Sequence, residues 1–547
     1  MSVSPWHSKQ WALKMPRTSR SNVNAGGAAV ERGGRRPISS VETARIRIGA
    51  TRGMVGGFAG VGDSRLAGGI CNDSRLPPGC EQGQPCWTRA GAALPDPFGS
   101  GTPRATRTIS SAWNQHGEQT MTGHISNVIG RQTATFLGLL LTVAAVTSSA
   151  TAGDWPGFLG PGRNGISTET GLVDTFPASG PKEAWRVSGG VGMSGLAVAD
   201  GRVVTLIESG TKQQVWALDF ASGKTLWKTD VAAAYRNGMG NGARATPTIA
   251  GGRVVVFTGE GRLLALDAKT GKVSWQQDVI TSLKGRVADY GMACSPLVVG
   301  DLVVVTPGAP RAAVAAYNLS DGESAWTAGS GSTGYSSPTV LTAGGRRQVV
   351  AFLGDRALGL DPTKGTALWS HPYVTDFDCN IATPLAHKGR VFLSSGENHG
   401  SVMLELKKSG TTFTPAVAWQ SQGPRAVMRN EWQTSILLGG HLYGMDNVGG
   451  AGPITHLGCV DAATGKLAWK QNRFGKGNLI AADGKLWIST IRGDLVLVAA
   501  SPKGFRELAR AEVIGPTRQA PALAHGKLLL RDDAQIVCLD VKKPASR

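Results

Sequence analysis

From about residue 180 onward, short apolar runs alternate with Gly, Pro, Asp and Ser, the pattern of short strands joined by tight turns. The clearest unit begins with residues 245–250, turns at Gly251-Gly252 and returns through the apolar run 253–258. Residues 263–267 then make a third strand, and a fourth ends at Trp275. The first two strands recur at 295–299 with 302–306, at 337–340 with 348–352, and at 383–385 with 390–393. Each unit therefore reads as four antiparallel strands. Pro247, Pro296, Pro338 and Pro384 sit at the strand starts, where a missing N–H donor does no harm.

The third and fourth strands of each unit carry an internal repeat, which decides the architecture. Asp267-Ala-Lys-Thr270-Gly271-Lys-Val-Ser-Trp275 has the form D-x-x-T-G-x-x-x-W, and Asp461 to Trp469, with Gly465, repeats it in full. The copy from Asp219 through Gly223 to Trp227 has Ser222 for Thr. Looser copies hold Gly322 with Trp326 and Gly365 with Trp369, and an insertion separates Gly410 from Trp419. The expectation is a two-residue Thr-Gly or Ser-Gly turn, with Gly223, Gly271, Gly322, Gly365 and Gly465 at positive φ. Trp suits a seam between neighbouring sheets, because it buries a large ring and still satisfies its N–H. With Trp185 added, the series 185, 227, 275, 326, 369, 419 and 469 is spaced by about 42–51 residues, the range of propeller blades.

Trp227 to Trp469 thus close six blades, and residues 478–510 make a seventh that lacks the terminal Trp. The C-terminal end supplies only three strands, at 521–524, 527–530 and 536–540. An unpartnered strand around Trp185 is available to complete the eighth. The predicted fold is all-β: an eight-bladed β-propeller of four-stranded antiparallel blades over residues 181–541, closed by an N-terminal strand, with a tail at 542–547. Closure removes the exposed sheet edges that are the usual liability of β proteins.

The repeat resembles the tryptophan-docking motif of the pyrroloquinoline-quinone-repeat (PQQ-like) propellers. The opening segment 153–180 begins Asp154-Trp155-Pro-Gly-Phe-Leu-Gly160-Pro161-Gly-Arg163-Asn164-Gly165, similar to the W-P-x-x-x-G-P-x-R-x-G start of secreted planctomycete-type members. The resemblance implies one of two function classes. One is the non-enzymatic scaffold, as in the outer-membrane β-barrel assembly machine. The other is the quinoprotein alcohol or sugar dehydrogenase, with PQQ and Ca²⁺. The dehydrogenases typically carry adjacent cysteines beside the quinone, a Glu/Asn/Asp set for Ca²⁺ and an Asp base. This sequence has no adjacent cysteines, no haem-attachment C-x-x-C-H, and no local cluster of the roughly six oxygen ligands that Ca²⁺ takes. The expectation is a binding or scaffold protein with no catalytic residues, no metal and no cofactor.

The front of the chain changes the picture of where this propeller works. Residues 1–120 are rich in Gly, Arg, Ser and Pro without sustained periodicity, and read as disordered or as a mis-assigned start. Residues 121–152 have the three parts of a secretory signal: a polar stretch with Arg131, an uncharged apolar run over 134–146, and the small-x-small site Ala150-Thr151-Ala152. The apolar run is shorter than the roughly 20 residues of a membrane span. A periplasmic or secreted protein is expected, with no transmembrane span after cleavage, acting as a monomer or complex subunit.

Charge and composition narrow the partner. The formal net charge is +19, but a large share lies in the first 120 residues and the rest is interspersed with acids. No basic stripe with interleaved aromatics appears, so nucleic acid is not expected. A protein, peptide or polysaccharide of the cell envelope is. Cys294, Cys379, Cys459 and Cys538 stand singly and read as buried thiols. Three polar loops supply candidate ligand-binding residues: Asp376, Asp378 and Asn380, then His399 after Glu397, then Arg429 and Glu431. The alternative for these is turn solvation and strand capping. The Gly-rich loop from Tyr235 to Arg244 is either a partner contact or a connector.

Overall fold

The computed structural model describes residues 153–449 and 454–544, so the expectations for 1–120 and for the signal sequence at 121–152 lie outside the described residues. Eight antiparallel four-stranded sheets make up an eight-bladed β-propeller, and the helices among the described residues are no longer than one turn. Blades 1 to 7 cover residues 197–233, 248–278, 297–328, 339–372, 385–422, 436–471 and 477–512, each in simple sequence order from the channel outward. Blade 8 combines residues 522–540 with the outer strand Lys182–Ser188, which pairs with Gln535–Asp540 from Lys182↔Asp540 to Ser188↔Gln535. The strand deficit at the C-terminal end is filled from the N-terminal side.

The core is a series of inter-blade layers. Val204, Leu206 and Val215 of blade 1 pack with Val254, Val256 and Leu264 of blade 2, and comparable clusters follow at the other seams. Alternation along each strand explains this, since both faces of every blade are covered by a neighbour and successive side chains feed opposite seams.

A β-bulge precedes the outer tryptophan. The register shifts between Ala217 and Leu218 opposite Trp227, between Ala265 and Leu266 opposite Trp275, and likewise in the other blades. The extra residue turns the Trp ring off its own sheet and onto the next blade. Trp185, Trp227, Trp275, Trp326 and Trp419 cover Gly223, Gly271, Gly322, Gly365 and Gly465, all at positive φ. A Cβ at Gly271 would lie 2.5 Å from the Trp227 ring, so only glycine admits this contact.

The turns differ from the expected two-residue form. Asp267 N–H donates to Lys272 O, leaving four residues in the loop, and the Asp267 carboxylate accepts from Lys269 N, Thr270 N and Thr270 Oγ1. The acid organises the turn by side-chain bonding, and the Gly ends it. Trp369 is also an exception. Blade 5 has a long hairpin, Gly400–Ser409 with Thr412–Gln422, in place of the Thr-Gly turn. With no glycine face to cover, Trp369 donates to Gln348 of its own blade over Gly359, and Phe413 of the hairpin packs back on Gly344 of blade 4.

Candidate functional site

The innermost strands of blades 2, 3 and 4 begin with Thr246-Pro247, Ser295-Pro296 and Ser337-Pro338. Proline withholds a donor, and the hydroxyl before it supplies an acceptor. Gly195 N–H donates to Thr246 Oγ1 (3.1 Å), Thr246 N–H to Ser295 Oγ (3.0 Å), and Ser295 N–H to Ser337 Oγ (2.9 Å). Thr383 N–H donates to Thr434 Oγ1 in the same way (2.9 Å). The first three bonds tie the inner strands of blades 1 to 4 into an arc, and the fourth links blades 5 and 6.

The opening segment closes the channel on the face where the inner strands end. Trp155 pairs with Val198 of blade 1 through two backbone bonds, and Ile249 N–H of blade 2 donates to Pro156 O. Arg163, buried, donates to Pro296 O (3.0 Å) and Ser295 O (2.9 Å) of blade 3. Gly165 packs on Ile436 of blade 6 and accepts from Ala481 N–H of blade 7. Val173 then meets Val541 beside blade 8. Residues 154–173 are thus a plug held by blades on all sides, and Phe158 reaches the cavity above it.

That cavity is a blind funnel on the face where the inner strands begin. Its volume is ≈ 190 Å³, and every blade contributes to its lining. The basic side carries Arg244 and Arg518. Arg244 donates to Tyr290 O, Gly242 O and Gly240 O, which closes the loop from Tyr235 into a compact turn over the funnel. Arg518 donates to Met239 O of that loop (3.1 Å) and lies over the Trp432 ring. Burial lowers the Arg244 guanidinium to about 10, with the neighbouring Arg518 adding to the effect, and burial also lowers Arg518. Blade 5 brings Cys379 to the other side, four blades round from Met193. Burial, then Glu397, Glu431, Asp378 and Asp376, push the Cys379 thiol up to about 12, so it is protonated at neutral pH and a poor nucleophile. Tyr290 and Tyr335 rings pack at 5.4 Å between these sides.

The candidate residues separate into four groups. Glu431 lines the funnel and pairs with Lys476 at 2.7 Å, and its burial raises its carboxyl above the ordinary range. Asn380 and Arg429 are tethers. Asn380, fully buried, donates to Leu353 O, Gly354 O and Tyr373 O and accepts from Ser395. Arg429 grips Asp446 through two bonds and donates to Pro424 O. Asp376 and Asp378 flank Phe377 on the rim, in a tight turn where Phe377 and Asp378 both take positive φ. His399 is not among the funnel-lining residues. Sequence reasoning missed Arg518, Trp432, Tyr290 and Tyr335, which lie far apart in the chain and follow no shared motif. The Ser/Thr before each strand-start proline was a signal, and it was legible.

An eight-bladed ring with bulge-set tryptophans docked on the next blade's turn is the architecture of the PQQ-like propellers. A family model described as outer membrane protein assembly factor BamB matches residues 169–289 and 212–447, and the chain belongs to this PQQ-repeat family. Quinohemoprotein alcohol dehydrogenase from Comamonas testosteroni shares the fold at 15% identity and TM-score 0.53, over 73% of this chain and 82% of that one. A quinohemoprotein alcohol dehydrogenase from Pseudomonas putida HK5 does so at 15% identity and TM-score 0.50, over 72% and 82%. BamB from Moraxella catarrhalis aligns at 15% identity and TM-score 0.46, over 66% of this chain and all of that one. No curated protein matches the sequence.

Among the described residues no three His, Cys, Asp or Glu side chains gather to hold a metal ion. Glu431 is engaged by Lys476, and Asn380 Oδ1 accepts from the Ser395 hydroxyl. Among the described residues no helix is long and apolar enough to cross a membrane.

Proposed function

We propose that this chain is an exported binding or scaffold protein of the cell envelope, and that it takes a polypeptide partner at the funnel face. The observation that carries this reading is the blind funnel, to which all eight blades contribute. A site assembled from segments anchored at the starts of eight packed sheets is preorganised, so little ordering entropy opposes binding. Beside it, Val374 and Phe377 are 69% and 53% exposed, large apolar side chains presented on a rim loop. A strained bulky residue at positive φ on a rim is a feature of contact sites. The relation to a family described by an assembly factor supports a protein partner.

The test is photo-crosslinking in the native cell, with benzoylphenylalanine in place of Phe377 or, as a control, of Lys408 on the far hairpin. A discrete adduct at 377 and none at 408 is the expected result. Adducts at 408 alone would overturn the reading. So would alcohol-dependent dye reduction by the purified protein supplied with PQQ and Ca²⁺, which would favour an oxidoreductase.

A further inference from the structure

The arc of strand-start hydroxyls on blades 2 to 4 can take a ligand as well as hold the blades. In Thr246, Ser295 and Ser337 the oxygen accepts an N–H from the preceding blade, and no acceptor among the described residues takes the hydroxyl proton. All three side chains are more than nine-tenths buried, and all three line the funnel. Each retains one O–H donor. On the same side stand Arg244, whose guanidinium donates to backbone carbonyls and lies over the Tyr235 ring, and Arg518. This arc, blades 8 and 1 to 4, presents donors. The carboxylates Glu397 and Glu431 belong, respectively, to a turn within blade 5 and to the segment leading into blade 6, and Glu431, near Arg518, is held by Lys476.

We propose that the funnel, taken as the partner site above, captures the free C-terminal carboxylate of a polypeptide whose last residues are apolar. A carboxylate is acceptor-only and suits converging hydroxyl and guanidinium donors. The floor is closed by Phe158, so a chain end can run into the funnel, whereas a passing loop would have to enter and leave by the same mouth. The walls that meet the final side chains are Met193, Met239, Tyr290, Tyr335 and Trp432, and Val374 and Phe377 are exposed on the segment that leads to Cys379. Capture of a terminal carboxylate by a preformed donor nest is an established mode of peptide recognition in general.

The experiment uses the full chain and two bead-bound libraries of randomised hexapeptides, one with free C-termini and one amidated. The expected result is enrichment from the free-acid library only, with apolar residues in the last two positions. A selected peptide, made with a fluorescent label, then binds at least tenfold more weakly when amidated, and at least tenfold more weakly to Arg518→Gln, with partial recovery in Arg518→Lys. Its affinity falls between 50 and 300 mM NaCl. If Arg518→Gln fails to fold, the acid–amide ratio and the salt response decide alone. Equal enrichment from both libraries overturns the carboxylate, and loss of that binding in Phe377→Ser leaves the funnel as the partner site. Equal binding of an amidated peptide ending in Glu, or displacement by benzoate at the peptide's own concentration, overturns the chain-end assignment. No enrichment from either library, with the crosslink at 377 retained, also overturns it while leaving the broader reading intact.

Discussion

Trp227 and Trp326 hold the same place in blades 1 and 3 but differ in their bonds. Both rings cover a turn glycine, and Trp227 Nε1 donates to Ala268 O at 3.2 Å. Trp326 Nε1 is buried with no acceptor among the described residues. Replacing either by Phe removes similar ring volume, so the packing losses nearly cancel in the comparison. Trp227→Phe also leaves Ala268 O without its partner, whereas Trp326→Phe removes a donor that was costly to bury. Trp227→Phe is therefore expected to be the more destabilising, by about 1–2 kcal/mol, read as a difference in urea midpoint between the two variants.

At the scale of the element, the repeated turn depends on an ionised acid. Hydrogen bonds from Ser222 to Asp219, from Thr270 to Asp267 and from Thr464 to Asp461 hold these carboxyls below their ordinary value of 3.8. A carboxyl with a depressed folded-state pKa contributes stability above its unfolded value, and loses it as pH falls through the folded one. The turns should therefore weaken from about pH 4 downward. Asp267→Asn and Asp461→Asn variants are expected to show a shallower fall in urea midpoint between pH 5 and pH 3 than the parent. Equal slopes would show that the turns are held by backbone bonding alone. The long hairpin of blade 5 teaches the same lesson from the other side. Where the acid–glycine turn is absent, the neighbouring Trp369 turns back to its own blade.

At the scale of the whole molecule, the ring depends on one strand. Lys182–Ser188 completes blade 8, carries Trp185 onto Gly223 and lets its Nε1 donate to Phe220 O at 3.0 Å. Deleting residues 181–190 removes that anchor and exposes the edge Gln535–Asp540. Loss of a buried Trp is worth about 3–5 kcal/mol, and at roughly 2–4 °C per kcal/mol the thermal midpoint is expected to fall by about 6–20 °C. Shortening the exposed hairpin tip at 409–412 is the control, and equal losses from the two deletions would refute the closure. The plug acts at this scale too, because it gives the channel a floor and leaves one open mouth.

How much of this was legible follows from the range of the interactions. Blade number, strand order, the turn glycines and the closing strand all rest on patterns a few residues long, repeated often enough to count. Period-2 alternation and a glycine's freedom at positive φ are local properties, so composition and spacing carry them. The site is different. Arg244, Cys379, Glu431 and Arg518 are brought together only because the ring folds the ends of eight inner strands onto one axis. Sequence reasoning named three polar loops, and of the residues it named in them Glu397 and Glu431 line the funnel. It had no means of separating Glu431 from Arg429 and Asn380, since whether a polar side chain faces a cavity or a set of backbone carbonyls is a matter of direction, and direction is set by packing. The sequence determined the ring and the positions of its seams. The tertiary structure decided that the channel is closed below and which donors meet above.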